Sequence, residues 1–227
     1  MKLTIFAATG GVGRQLLAQA AAAGHDVTAV VRDPQKLAQT AWDAVRVVTA
    51  DLDAAESAHI ESAVSGADAV LSGLGARTFA DADAGVTWRG TRAIVDAMAA
   101  SDVRRIVVVS AAPIGTVPSP GRPNPPQHDD GDGFFMRHLF APFARSAFRR
   151  QYADVAHMED VLRDGGLDWT AVRPPKLTGK ALTGEYRTAI GRNIVGGWSI
   201  SRADVAHCML RVLEQPETIG QTVGLAD

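Results

Sequence analysis

The chain has 227 residues, of which 46% are hydrophobic and 21% charged, a globular balance and enough length for one α/β sheet with an insertion. A formal net charge of −2 offers no electrostatic case for nucleic acid, and the single cysteine, Cys208, leaves no internal disulfide. No apolar run approaches the ~18 residues of a membrane span, the apolar N-terminal stretch is shorter than a secretory signal's, and no Cys/His cluster has metal-ligand spacing, so a cytoplasmic protein without a metal is expected.

The chain opens on a β-type run, Lys2 to Ala7, followed by Ala8-Thr9-Gly10-Gly11-Val12-Gly13. An Ala-rich helical pattern runs from Arg14 to Ala23, Gly24 ends it, and a second strand is expected over Asp26 to Val31. Strand, glycine-rich turn, helix and strand in about 30 residues form the context that makes a dinucleotide fingerprint credible. Glycines let the backbone turn tightly and approach a pyrophosphate, and the N–H groups at the helix start then hold the anion. Thr9, Gly10, Gly11, Val12 and Gly13 are therefore cofactor candidates, with Ala7 standing where the pattern places its first glycine.

The end of the second strand bears on which dinucleotide is bound. An acidic residue about 20 positions after the glycines accepts from a ribose 2′-hydroxyl, whereas an arginine there accommodates a 2′-phosphate. Arg32 occupies that place, with Arg14 and Lys36 as further cations, so NADP(H) is expected in preference to NAD(H). Asp33, next along, is able to hold a hydroxyl instead or, with Pro34, to open a helix; Arg32 itself is alternatively a solvated strand-end charge.

The alternation continues with a strand over Ala44 to Ala50, a helix through Val64, and a strand over Ala67 to Leu71. A helix over Val86 to Ala100 and a strand over Arg104 to Val109 follow. Beyond an interruption come a helix to about Arg163, a strand over Asp168 to Val172 and a last helix. This order predicts a single-domain, doubly wound parallel sheet of Rossmann type, with a small C-terminal substrate-side portion. Ligands of such sheets lie beyond the carboxyl ends of the strands. Asp51 and Leu52 would then lie near the adenine and Gly73, Leu74 and Gly75 at the middle of the cofactor. Ser110 and Pro174, at the ends of later strands, are further cofactor candidates. Asp51 reads equally as a helix-opening carboxylate.

Residues 113–150 interrupt the pattern. Six of the eleven prolines lie between Pro113 and Pro126, before Asp129-Asp130-Gly131-Asp132-Gly133, a composition unsuited to helix or sheet and expected as a loop that is mobile or orders on binding. Five of the seven phenylalanines then fall between Phe134 and Phe148, where Met136, Leu139, Phe140, Phe143 and Ala147 share helical spacing opposite Arg137, His138, Arg145 and Arg149. Pro142 would kink this helix. It reads as an apolar lid for a flat acceptor, or as a helix on the core or a dimer contact.

Three stretches carry a family resemblance: Ala7 to Gly13, Val31-Arg32-Asp33-Pro34, and Gly165 to Pro175 with its Asp168-Trp169-Thr170-Ala171-Val172-Arg173-Pro174 core. Together with the tail Ile200 to Leu210 they resemble the atypical short-chain dehydrogenases/reductases, in particular the NAD(P)H-binding, NmrA-like group that includes biliverdin-IXβ/flavin reductases. The resemblance covers nearly the whole chain except roughly 113–150. It implies a Rossmann fold, an NADP-type cofactor and reduction of a small-molecule acceptor such as a flavin, quinone or tetrapyrrole. The same superfamily also includes cofactor-sensing regulators without catalysis.

The chain departs from the superfamily's Tyr-x-x-x-Lys pair, which passes a proton through an activated phenol. Those positions fall on Gln151 and Val155, and Tyr152, one residue out of register, has Ala156 four residues on. Ser110 falls where the family carries a strand-end Ser or Thr at the nicotinamide, and as a plain strand terminus it would need no function. Glu159 matches a polar active-site position of the resemblance, and His157 lies nearer the missing Lys. Residues two apart on a helix point about 200° apart, so at most one of the two faces the cleft. Ser110, Tyr152, His157 and Glu159 are the catalytic candidates, with carbonyl or enone reduction through Ser110 or a redox-sensing regulator as alternatives. Ser201 and Asp204 read as a helix cap, His207 as structural, and the chain as a monomer or homodimer.

Overall fold

A computed structural model describes residues 1–37, 45–52, 57–133 and 147–227. At its centre β1 (Lys2–Phe6) lies between β2 (Asp26–Val31) and β4 (Ala69–Ser72), both parallel to it. Outside β2 comes β3 (Val45–Thr49). Outside β4 follow β5 (Arg105–Val109), β6 (Asp168–Arg173), β10 (Gln221–Ala226) and β8 (Arg187–Ile190), to give eight strands in one sheet. Among the described residues only the last pair of this sheet, β10 with β8, is antiparallel. The mainly parallel α/β sheet expected from the alternation is present, in the order β3-β2-β1-β4-β5-β6-β10-β8.

Helices cover both faces, which is why Leu3-Thr4-Ile5-Phe6 is buried at every position instead of alternating. On one face α1 (Gly11–Ala22) packs on the last described helix, where Leu16, Leu17 and Ala20 meet Val205 and Met209 over Leu3, Ile5 and Leu71. On the other, Ile60 of α2 (Ser57–Val64) packs with Ile94 and Met98 of a longer helix over Phe6, Val70 and Ile106. Between these two helices a five-residue helix, α3 (Phe79–Asp83), is held by a capping box in which Thr78 and Asp81 each accept from the other's backbone N–H. The longer helix is α4 (Val86–Ala100). It packs on α5 (Arg149–Asp164), and the last helix is α6 (Arg202–Arg211). Two three-residue strands, β7 (Lys176–Thr178) and β9 (Ser199–Ser201), pair in parallel beside the sheet. Among the described residues no helix is long and apolar enough to cross a membrane.

Two expectations change. The helix after the first strand begins at Gly11, three residues before the Ala-rich pattern, because the glycine turn itself forms its first turn. The proline-rich stretch, as far as Gly133, is irregular but tied down. It begins with a 3-10 turn over Ala112–Thr116, and Ser119 and Arg122 exchange backbone bonds. The Asp160 carboxylate accepts from Ser119 Oγ at 3.0 Å and from Gly121 N at 2.8 Å. Asp129 is buried and accepts from Gly131 N at 2.9 Å and Asn193 N at 2.8 Å, so it anchors the acidic run. The lid positions Phe134 to Arg145 lie outside the described residues; Ala147, Phe148 and Arg149 are exposed where α5 begins.

Candidate dinucleotide site

The chain leaves β1 and β4 on opposite sides of the sheet, and the crevice of a doubly wound sheet opens at that reversal. Its floor is the turn after β1. Ala7 has φ of 55°, left-handed backbone that costs an alanine about 1 kcal/mol, and this is why the pattern places glycine there. Gly10 N donates to Ala7 O at 2.8 Å, closing the turn. A Cβ on Gly10 would lie 3.0 Å from Ala7 O, one on Gly13 2.1 Å from the same oxygen, and one on Gly73 3.0 Å from Gly13 N. The ends of β1, α1 and β4 therefore meet at backbone contact, possible only without side chains. Among the described residues no side chain caps α1, and its first turn holds no acidic residue, so its N–H groups are left for an anion.

From this floor extends a cleft of about 320 Å³. Thr9, Gly10, Gly11 and Val12 line it at α1, Arg32 at the end of β2, Asp51 and Leu52 after β3, Gly73, Leu74 and Gly75 after β4, and Ser110 after β5. Two expected residues lie elsewhere. Gly13 is buried against Ala7 O and shapes the cleft without lining it; Pro174 is buried, and its carbonyl accepts from Ala112 N at 2.9 Å. Arg77, Asp81, Leu177 and Arg202 line the cleft although no sequence signal placed them there, and Val155 lines it too. Arg202 opens α6, donates from Nη1 to Thr178 O at 3.0 Å, and lies so close to Gly11 that a Cβ there would stand 2.8 Å from its side chain. A cation thus rests on the N-terminus of α1. Its only local signal was its place after the Ser201 cap.

At the far end Arg32 is exposed and, among the described residues, makes no ion pair. Asp33 is engaged: its carboxylate accepts from Gln35 N at 3.0 Å, capping a 3-10 turn, and pairs with Lys36 Nζ at 3.1 Å. Arg14 Nη2 donates to Lys36 O at 3.3 Å and so braces the same turn from outside the cleft. The Thr78 hydroxyl and backbone hold the Asp81 carboxyl below its ordinary value, with smaller help from Arg77 and the Arg32 charge.

The four catalytic candidates separate. Ser110 lines the cleft, and Glu159 of α5, fully buried, lies directly behind it. Glu159 Oε1 accepts from Ser110 Oγ at 2.7 Å and Arg173 Nε at 2.8 Å; Oε2 accepts from Arg173 Nη2 at 2.6 Å and Arg163 Nη2 at 2.7 Å. Burial alone would raise this carboxyl, but the hydrogen bonds and charge of Arg173, with Ser110 and Arg163, outweigh it and hold the group below its ordinary value. His157 points elsewhere on α5 and stacks on Trp88, ring centroids 4.4 Å apart, in a separate open groove. Tyr152 packs with Ile114, Val117 and Ala156 and leans on Phe148, and burial raises its phenol. Val155, at the superfamily's Lys position, puts an apolar side chain on the cleft wall.

The model of the NAD(P)H-binding family matches residues 7–216. A protein structure from Burkholderia pseudomallei is 29% identical with a TM-score of 0.70, with all of both chains covered. An anaerobillin reductase from Escherichia coli O157:H7 shares the fold at 22% identity and a TM-score of 0.75, over 100% of this chain and 97% of that one. A short-chain dehydrogenase/reductase from Veillonella parvula DSM 2008, solved in complex with NADP, shares it at 17% identity and a TM-score of 0.77, over 100% and 94%. With a match spanning all but the first strand and the last, the chain belongs to the NAD(P)H-binding family.

Proposed function

We propose that this protein is an NADPH-dependent reductase that delivers hydride to a flat, conjugated small-molecule acceptor. The observation that carries the reading is the continuous cleft from Arg32 to Ser110, floored by glycines that admit no Cβ and walled by Val155 where a proton-relaying Lys would stand. Such a cradle fits a dinucleotide: the first turn of α1 and Arg202 would hold the pyrophosphate, Arg32 the 2′-phosphate, and Gly73 and Gly75 would allow close approach at its middle. When bound, the dihydronicotinamide supplies the hydride. The chain's own residues position it, and the apolar Val109, Val155 and Leu177 restrict water beside Ser110. Without a Tyr/Lys pair, alcohol oxidation has no base, whereas a conjugated acceptor spreads the incoming charge through its own π-system and depends less on a protein acid. The likeness to an anaerobillin reductase supports the acceptor class, and that to a chain solved with NADP supports the cofactor. The test is loss of dihydronicotinamide absorbance on adding flavins, quinones and linear tetrapyrroles to protein and NADPH. Tight NADPH binding with no turnover of any acceptor leaves the redox-sensing reading in its place, which the saturated Glu159 and the absent dyad favour.

Two further outcomes are expected. Arg32→Ala weakens NADPH by about tenfold to a hundredfold, the range for a charge-assisted bidentate contact, and changes NADH little. The Asp33 carboxylate already accepts from Gln35 N and pairs with Lys36, which weighs against its serving the 2′-hydroxyl. Equal wild-type affinity for NADH and NADPH in a fluorescence titration contradicts the assignment. Tyr152→Phe leaves acceptor turnover within a few-fold, since its phenol lies among Ile114, Val117 and Ala156 and not on the cleft. A loss of about 10²–10⁴, the size of a general acid's contribution, would show the phenol at work.

A further inference from the structure

We infer that Glu159 fixes the Ser110 hydroxyl as a hydrogen-bond acceptor toward the cleft, so that the site selects a ligand presenting an N–H group there and disfavours a bare carbonyl. This rests on the reductase reading of the cleft and gives its Ser110 corner a polarity.

A serine hydroxyl has one hydrogen and two lone pairs. Ser110 Oγ lies 2.7 Å from Glu159 Oε1, and a carboxylate without a proton only accepts. The carboxylate is ionised because Arg173 grips it through two nitrogens and Arg163 through a third, and these contacts and that of Ser110 lie between 2.6 and 2.8 Å around a fully buried carboxylate. The hydrogen of Ser110 is therefore spent on Glu159. Turning it into the cleft would leave a buried charged oxygen short of a donor, a loss larger than an ordinary hydrogen bond returns. What Ser110 offers the cleft is lone pairs.

The consequence for ligands is specific. A carbonyl oxygen gathering negative charge as hydride arrives needs a donor; at Ser110 it would face another oxygen. An amide or ring N–H finds a partner there. Two ligands of a reductase carry that chemistry: the carboxamide of the nicotinamide, and a conjugated acceptor with an N–H in its ring. Glu159 touches neither, so it is a positioning residue that acts through Ser110.

Two matched pairs of probes separate these sources. Reduced 3-acetylpyridine adenine dinucleotide phosphate keeps the cofactor's carbonyl but replaces its NH₂ by methyl, and equilibrium titration compares it with NADPH without any turnover. Lumiflavin and 3-methyllumiflavin differ in the ring N–H of the acceptor, and turnover compares them. We expect the wild type to prefer the N–H-bearing member of one pair by about tenfold, the size of one hydrogen bond with a buried partner. Ser110→Ala should erase that preference while the other pair is unaffected. Glu159→Gln should erase or invert it: the two arginine N–H groups at the Oε2 place claim the amide oxygen, the amide NH₂ takes the Oε1 place facing Ser110 at the cost of the Arg173 Nε bond, and the serine hydrogen is released toward the cleft. A purely structural Glu159 would weaken both members of a pair alike. If Glu159→Gln does not fold, the ratio in Ser110→Ala against wild type still decides. Equal wild-type behaviour toward both members of both pairs, or a preference that survives Ser110→Ala, overturns the inference while leaving the reductase reading intact. Failure to bind NADPH at all would overturn both.

Discussion

Gly13→Ala is expected to lower NADPH affinity by at least a hundredfold and to destabilise the fold by about 2–3 kcal/mol, the cost of overpacking a close-packed site. The added Cβ would stand 2.1 Å from Ala7 O, 2.8 Å from Ala7 C and 3.0 Å from Ala8 Cα, and all three belong to backbone that cannot rotate away. Relief requires α1 to move off the turn after β1. That shift carries the N–H groups of its first turn out of place, and it separates Gly13 N from Gly73, the contact that closes the middle of the cleft. Alanine is the better helix former by about 1 kcal/mol, but that gain is smaller than the clash, so the sign of the effect is set by packing. Gly179→Ala is the control: a Cβ there meets nothing within 4 Å, and both affinity and unfolding midpoint should stay at wild-type values. Measured together by ligand titration and thermal unfolding, a Gly13→Ala protein that bound NADPH normally would contradict the role given to this turn.

The fingerprint was legible because everything that defines it is local. Strand, glycines, helix and Arg32 occupy one continuous stretch, and each signal is carried by residue type and period. Asp33 shows the same locality: next to Pro34, it reads as a helix-opening residue, and its carboxylate does cap Gln35 N. The C-terminal portion was not legible to the same degree. Lys176–Thr178 and Ser199–Ser201 are too short to show a period, and Gln221–Ala226 becomes a strand because the edge of β6 is open to receive it. Arg202 reaches Gly11 only through the packing of α6 on α1, a long-range contact that no spacing announces. On α5 the period told that Glu159 and His157 diverge, but not how the helix is rolled. The roll is set where Met158, Val161 and Leu162 enter the core, and it carries Glu159 to Ser110 and Arg173 while His157 goes to Trp88.

That roll also buries the Glu159 charge completely. Glu159→Ala is expected to cost about 3–5 kcal/mol, because it strands a buried arginine and does not merely remove one favourable pair. Arg173, whose side chain is 6% exposed, loses both of its bonds to the carboxylate, and Ser110 loses its acceptor. Arg163 suffers less, being a third exposed and still bonded to Asp160 at 2.8 Å. At about 2–4 °C per kcal/mol for a chain of this size, the unfolding midpoint should fall by roughly 10 °C. Replacing both partners, Glu159→Leu with Arg173→Met, should recover much of that loss, since the cost lies in the unpaired charge. The pH dependence has a definite sign. The folded carboxyl is held below its ordinary value by the two arginines and Ser110 against the opposing effect of burial, so its contribution is complete above the unfolded-chain value and is lost as pH falls through the folded one. The wild type should therefore lose stability between mildly acidic pH and the lower folded value, and Glu159→Ala should show a flatter profile over that window. A Glu159→Ala protein within 1 kcal/mol of wild type at neutral pH, with an unchanged acid profile, would mean that water or a rearranged Asp129 serves Arg173 as well as Glu159 does.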